Sequence, residues 1–148
     1  MKNTVFLFTV LFTLAAIISG CKKDPAKPEI KKFELGYDNN KIAFAGDELH
    51  IDADIVAEGK IDRIIIEIHS EGHGHKSSGE LKHDDEWEVE IVYTKFSGLK
   101  NTDFHEHIDV PDHAKAGDYH IHFKVIDQEG NSTSIEDEFE VKHHHHDK

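Results

Sequence analysis

Apolar and polar residues alternate along most of the chain after residue 29, a pattern typical of strands with one buried face. In the run 49–57 every odd position is apolar, while positions 50, 52 and 54 carry His, Asp and Asp. The run 119–125 alternates in the same way, and no segment keeps a helical period for three turns. The alternation predicts seven strands, at 30–35, 49–57, 61–69, 87–93, 104–110, 119–125 and 135–141.

Seven short strands without intervening helices predict an all-β domain, an antiparallel sandwich of immunoglobulin-like type, over residues 30–142. Pro111 ends the fifth strand because proline cannot donate to a strand ladder. The sequence lacks the Cys…Trp…Cys spacing of antibody domains. The fold is therefore expected to be a sandwich without their disulfide.

The first 20 residues have the pattern of a signal peptide. Lys2 precedes an uncharged apolar stretch at 5–18, which is shorter than the ~20 residues that span a bilayer. The small residues Ser19 and Gly20 stand directly before Cys21, and this resembles the lipobox of bacterial lipoproteins. The resemblance implies cleavage after residue 20, a lipid on Cys21, and attachment to the outer membrane, facing the periplasm or the cell surface.

Residues 21–29 are charged and carry two prolines, which predicts a short extended tether. In the predicted sandwich the first strand begins at the pole opposite the histidines of the later strands. The tether is therefore expected to leave from the far end of the domain and to hold the histidines away from the membrane.

Composition narrows the possible partners. The chain has a net charge of −13 at pH 7, and loss of the signal peptide with Lys2 would make it one unit more negative. This charge argues against binding to nucleic acid or to anionic lipid headgroups, and it favours cations. Because Cys21 is the only cysteine, no disulfide is expected.

Fourteen histidines make the most unusual feature of the composition. Two pairs have His-x-His spacing within predicted strands, so each pair presents two imidazoles on one face. The antiparallel path of the sandwich places every histidine of the chain at one pole. This segregation predicts a metal site with His69, His105, His107, His120 and His122 as ligands. Possible accessory ligands are Glu67, His73, His75, His83 and the tail residues His143, His144, His145 and His146 within 143–148.

Pairing of the third and sixth strands should place His69 near His120 and Glu67 near His122. His105 and His107 belong to the outer face of the other sheet, so the two pairs form either one site, through a bend in the strand, or two. His50 and His113 are expected to be solvated rather than ligating.

Imidazole ligands suit Zn, Cu(II) and Ni, whereas Ca and Mg prefer oxygen. The mature chain would have no methionine and no free thiol, which disfavours Cu(I). Zinc is the first expectation, with Cu(II) or Ni as alternatives. Glu67, Glu106 and Asp109 are candidate ligands or partners that orient the rings.

Several short motifs resemble an uncharacterised family of Bacteroidetes lipoproteins, domain of unknown function 4625. They are Gly46-Asp47-Glu48-Leu49-His50, the segment 57–62, His105 to Pro111, and Gly117-Asp118-Tyr119-His120. The start Ser19 to Asp24 is similar to lipoproteins of the same phylum. The resemblance covers about 28–141 and implies a β-sandwich in the cell envelope, but no activity.

Three functions remain open at this point. The first is an envelope module that binds a divalent metal for sequestration or delivery, with the tail as a capture arm. The second is a non-catalytic adhesion or accessory module that binds a glycan or an envelope protein. The third is a domain that responds to pH through its histidines. No enzyme is expected, since His-Glu-His on a strand differs from the helical His-Glu-x-x-His of metalloproteases.

Overall fold

The computed structural model describes residues 26–71 and 87–144. Its strands are β1 (Glu29–Leu35), β2 (Ile42–Phe44), β3 (Glu48–Val56), β4 (Ile61–Ser70), β5 (Val89–Tyr93), β6 (Asn101–Asp109), β7 (Gly117–Asp127) and β8 (Ser132–Lys142). The predicted signal peptide and the predicted residues Cys21, His73, His75, His83, His145 and His146 lie outside the described residues.

The strands form two sheets that face each other. One has three strands in the order β1-β3-β6, and the other has five in the order β2-β8-β7-β4-β5. The all-β sandwich predicted from the alternation is confirmed, and all seven predicted strands are present. In residues 26–71 and 87–144 no helix is long and apolar enough to span a bilayer.

Aromatic side chains join the two sheets in the core. Phe104 of β6 lies edge-on to Phe123 of β7, with ring centroids 5.1 Å apart, and edge-on to Tyr93 of β5 at 5.1 Å. Phe33 of β1 packs on Phe123 at 5.3 Å. Aromatic pairs of this geometry add about 0.5–1.5 kcal/mol each beyond the area that they bury. The inward faces are therefore filled mainly by apolar side chains, and most polar side chains of the strands lie on the outward faces.

An eighth strand, β2, adds to the predicted set. It has three residues and pairs in parallel with β8, with Ile42 opposite Glu140 and Phe44 opposite Lys142. Three residues are too few to show alternation, and a parallel partner is distant in sequence. These two properties explain why periodicity did not reveal it.

The strand register fixes where the two ends of the domain emerge. Glu29 at the start of β1 pairs with Val56 at the end of β3, and Leu35 pairs with Ile51. The last strand ends where β7 begins, with Val141 opposite Gly117. The described chain thus enters at one pole and leaves at the other, as the sequence predicted.

Two polar side chains hold the connections around β7. The Tyr119 hydroxyl donates to the Lys115 carbonyl at 2.9 Å, four residues upstream, as in the tyrosine corner of immunoglobulin-like domains. At the other end of β7, Asp127 is 2 % exposed. Its carboxylate accepts hydrogen bonds from the backbone N–H groups of Glu129 and Asn131 at 3.0 and 2.7 Å, and from the Asn131 side chain at 3.0 Å.

Replacing Asp127 should therefore destabilise the domain. We expect Asp127→Ala to lower the free energy of unfolding by about 2–4 kcal/mol, because two N–H groups of the turn lose a charged acceptor. Urea unfolding measures this. Gln128→Ala, an exposed neighbour in the same turn, is the control and should change stability by less than about 0.5 kcal/mol. Equal stability of the two variants would contradict the role assigned to Asp127.

Candidate metal centre

Two strands bring three histidines together on the outward face of the three-stranded sheet. In the antiparallel pairing of β3 with β6, His50 lies opposite His107, and Asp52 lies opposite His105. Residues two apart on a strand share a face, so these four side chains form one block. The block sits at the pole where β3 begins and β6 ends.

The three imidazoles of this block are close enough to share an ion. One ring nitrogen from each of His50, His105 and His107 lies within 4.8 Å of the other two. The ring centroids are 4.9 Å apart for His50 and His105, and 5.2 Å for both other pairs. Three imidazoles are the protein ligand set of one well-known class of zinc site, whose fourth position is open.

Carboxylates beside the block orient two of the rings. The Nδ1 atom of His105 lies 3.1 Å from Oδ2 of Asp52, and the Nδ1 atom of His107 lies 3.2 Å from Oε2 of Glu48. An ionised carboxylate only accepts hydrogen bonds, so a neutral His105 carries its proton on Nδ1 and keeps a lone pair on Nε2. The position of Glu48 favours the same tautomer for His107. This arrangement is the one that carboxylates impose on metal-binding histidines.

The charge of Asp52 supports the same arrangement. Its pKa is lowered from the usual value, chiefly by the hydrogen bond from His105, which outweighs the opposite effect of burial. Asp52 is therefore ionised at neutral pH. Its Oδ2 atom also lies 3.5 Å from Nε2 of His50, so one carboxylate contacts two of the three rings.

His50 is the residue that the sequence reasoning missed. It was expected to be solvated, but only 9 % of it is exposed, because Tyr37 stacks on its ring at 5.1 Å with an interplanar angle of 12°. Its Nδ1 atom is buried and has no hydrogen-bond partner among the described residues. An unpartnered buried polar atom costs about 1–3 kcal/mol, and a bound water or ion is one way to remove this cost.

The turn that carries Tyr37 depends on a glycine. Gly36 has a φ of +75°, and a Cβ there would lie 2.3 Å from Oδ1 of Asn40. The Gly36 N–H donates to the His50 carbonyl at 2.8 Å. The turn is thus held to the backbone of His50, and Tyr37 in the same turn covers the His50 ring.

A second histidine group lies on the outward face of the five-stranded sheet. His69 of β4 pairs with His120 of β7, and Glu67 pairs with His122, as the sequence predicted. The Nε2 atoms of His69 and His122 are 3.1 Å apart, and the rings of His69 and His120 have centroids 5.4 Å apart. The two His-x-His pairs are therefore on opposite outer faces, with the core between them. The sequence left open whether the pairs form one site or two, and in the structure they form two separate groups.

The remaining predicted residues are dispersed. Glu67 is exposed beside His122, whereas Glu106 turns to the inner side of its sheet and pairs with Lys95, away from the imidazoles.

The tail histidines within the described residues lie apart from both groups. His143 is exposed, and the His144 ring stacks on Phe44 at 4.8 Å with its Nε2 2.9 Å from Asp47. Asp109 pairs with Glu48 at the rim of the first group, and His113 is an exposed loop residue.

Comparison with known families identifies the chain. The model of the domain of unknown function DUF4625 matches residues 18–142, so the protein belongs to that family. The resemblance read from the motifs is confirmed, and the family description gives no activity. No curated protein matches the sequence.

Solved structures with similar folds are distant in sequence. OgpA from Akkermansia muciniphila superposes with a TM-score of 0.53 at 12 % identity, over 80 % of this chain and 29 % of OgpA. A DUF4466 family protein from Parabacteroides merdae gives a TM-score of 0.54 at 10 % identity, over 80 % of this chain and 46 % of that protein. This chain spans less than half the length of either protein, and at such identities the likeness shows the fold alone.

The buried nitrogen of His50 leads to a prediction about stability without metal. We expect His50→Phe to leave the free energy of unfolding unchanged or up to about 1 kcal/mol higher, because an apolar ring keeps the stacking on Tyr37 and removes the unpartnered atom. Urea unfolding in the presence of a chelator measures this. His50→Ala is the matched control and should lower stability by about 1–3 kcal/mol, since it removes the ring. A large loss for His50→Phe would show that the imidazole is needed for the fold.

Proposed function

We propose that this protein is a lipid-anchored module of the cell envelope that binds a divalent transition metal ion through His50, His105 and His107. Zinc is the preferred ion, with Cu(II) or Ni as alternatives. The role is to sequester the ion or to pass it on. The observation that carries the proposal is the buried, unpartnered Nδ1 of His50 within a group of three imidazoles.

The state of the three rings supports binding in preference to a purely structural role. His105 and His107 both have Nδ1 facing a carboxylate, which leaves their Nε2 lone pairs available. His50 contributes an Nδ1 that the described residues leave unpartnered. Each of the three rings therefore has a nitrogen that a metal can use. The acidic surroundings, including Asp52 and Glu48, offset the charge of a divalent cation.

The proposed module holds its ion and does not catalyse a reaction. In many hydrolytic zinc sites a carboxylate beside the ion serves as general base. Asp52 and Glu48, the carboxylates that contact these rings, already face the Nδ1 atoms of His105 and His107. In the proposed site these two carboxylates therefore orient the imidazole ligands and do not act as general bases.

The proposed anchor agrees with the path of the chain. The described residues enter the domain at the pole opposite the histidines. A lipid on Cys21 would hold that pole towards the outer membrane, so that the metal centre faces away from it. Labelling with a radioactive fatty acid in a bacterial host tests the anchor, and Cys21→Ser should abolish the label.

Zinc binding can be measured on a soluble form that starts at residue 21 and carries Cys21→Ser. The four tail histidines 143–146 are replaced by asparagine to remove their contribution. Calorimetry at about pH 7.5, where most imidazoles are neutral, should show Zn²⁺ binding tighter than about 100 μM. His105→Asn and His107→Asn should each weaken the binding at this centre at least tenfold, because each removes one of three ligands.

His113→Asn is the control for this titration, since it removes an exposed loop imidazole and should leave the isotherm unchanged. Absence of binding tighter than about 100 μM would contradict the proposed function. Equal effects of His113→Asn and His105→Asn would show that binding is diffuse and does not belong to the three-histidine group.

The carboxylate that orients His105 allows a finer test. We expect Asp52→Asn to weaken Zn²⁺ binding at the same centre by about 10–100-fold without changing the number of ions bound, because His105 loses the acceptor that fixes its tautomer. Asp54→Asn, on the same strand and face but opposite Asp103, is the matched control and should change the affinity less than threefold. Calorimetry of both variants in the tail-free background measures the difference.

A further inference from the structure

The second histidine group has a feature that the first does not share, a direct contact between two ring nitrogens. His69 and His122 stack with ring centroids 5.3 Å apart, and their Nε2 atoms are 3.1 Å apart. Both residues are half-buried on the outward face of the five-stranded sheet. The protons on these two nitrogens determine what can lie between them.

The other nitrogen of each ring faces an oxygen that can only accept a hydrogen bond. The Nδ1 atom of His122 lies 3.4 Å from Oε1 of Glu136, and the Nδ1 atom of His69 lies 3.4 Å from the carbonyl oxygen of Ser70. A neutral imidazole has one proton, and on Nδ1 of either ring that proton would face one of these acceptors. In this tautomer both Nε2 atoms keep lone pairs on the sides where the two rings approach each other.

Two lone pairs at 3.1 Å repel unless a positive charge lies between them. A proton would satisfy them, and so would a metal ion. Zn–N bonds of about 2.0–2.1 Å put neighbouring nitrogens about 2.9–3.4 Å apart for bond angles between a right angle and the tetrahedral value. The observed separation lies within this range. The two rings are thus already at the spacing of two ligands on one ion.

The charge around the pair favours the cation. Glu67 lies opposite His122 on one side, and Glu136 lies opposite it on the other. Glu90 of β5 lies opposite Glu67, so carboxylates extend across the face on both sides of the imidazoles. Such a field raises the local concentration of divalent ions.

We propose that His69 and His122 form a second site for a divalent transition metal ion, separate from the three-histidine centre. The two sheets of a sandwich pack about 10 Å apart, and the imidazoles are on opposite outer faces, so one ion cannot contact both groups. The second site has two protein nitrogens and keeps its other positions for water or for a donor from an incoming molecule. It does not depend on the first site, because no residue is shared.

The proposal makes a distinction between two histidines on the same strand and face. His120 also stands beside His69, and its Nδ1 faces Glu138 at 3.6 Å much as that of His122 faces Glu136. Among the described residues, however, the short contact between ring nitrogens joins His69 to His122 and not to His120. His122 is therefore a ligand in this proposal and His120 is not. This difference provides the matched control.

The experiment uses the soluble, tail-free protein with His105→Asn and His107→Asn, in which the three-histidine centre is disabled. Calorimetry with Zn²⁺ at about pH 7.5 should show one ion bound. His69→Asn or His122→Asn should remove this binding, while His120→Asn should change the affinity less than threefold. Absence of zinc binding in this background would overturn the proposal and would leave the first centre untouched. Equal losses for His120→Asn and His122→Asn would overturn the assignment of two ligands.

A second measurement does not depend on zinc. Long-range ¹H–¹⁵N spectra of the metal-free protein at about pH 8 report which imidazole nitrogen carries the proton. Both His69 and His122 should be the Nδ1-protonated tautomer. Finding either ring with its proton on Nε2 would overturn the proposal, because an ordinary hydrogen bond would then explain the short contact.

Discussion

The unbroken antiparallel register between β3 and β6 is the constraint on which the candidate centre depends. It runs from Glu48 opposite Asp109 to Val56 opposite Asn101 without a bulge. Because side chains alternate with a period of two, a slip by one residue would send the imidazoles into the core. The buried apolar side chains of the same strands make that slip costly. The core therefore sets the geometry of the polar face.

The alternation of apolar and polar residues was sufficient to predict much of this architecture. Leu49, Ile51 and Ala53 are fully buried as their spacing predicts, and His69 meets His120 because β4 and β7 are neighbours in the common sandwich topology. Of the three-histidine centre, the sequence predicted His105 and His107 as ligands but not His50. His50 is on the same outward face as His107, and the pairing of their strands would have placed them opposite each other. Its burial was not predictable, since it depends on Tyr37 in an irregular turn.

The covered His50 links the stability of the domain to the proposed binding of an ion. A solvated imidazole would cost nothing, but it would be free to rotate. Stacking on Tyr37 fixes the ring in place, and the stability supplied by the mainly apolar core offsets the penalty of the buried Nδ1. Preorganised ligands lose less entropy when they bind, so the stability lost in the free protein would increase the affinity of the proposed site for its ion.

The short parallel strand β2 has a mechanical consequence. The last strand of the described domain, β8, lies between β2 and β7, and the chain enters and leaves at opposite poles. A pull on the two ends would therefore act along the strands, and the hydrogen bonds from Ala45 N–H to the Lys142 carbonyl and from Glu140 N–H to the Lys41 carbonyl would be loaded together. Bonds loaded side by side must break at once, whereas those of a peeled strand break one after another. The domain is thus arranged to resist stretching between its ends.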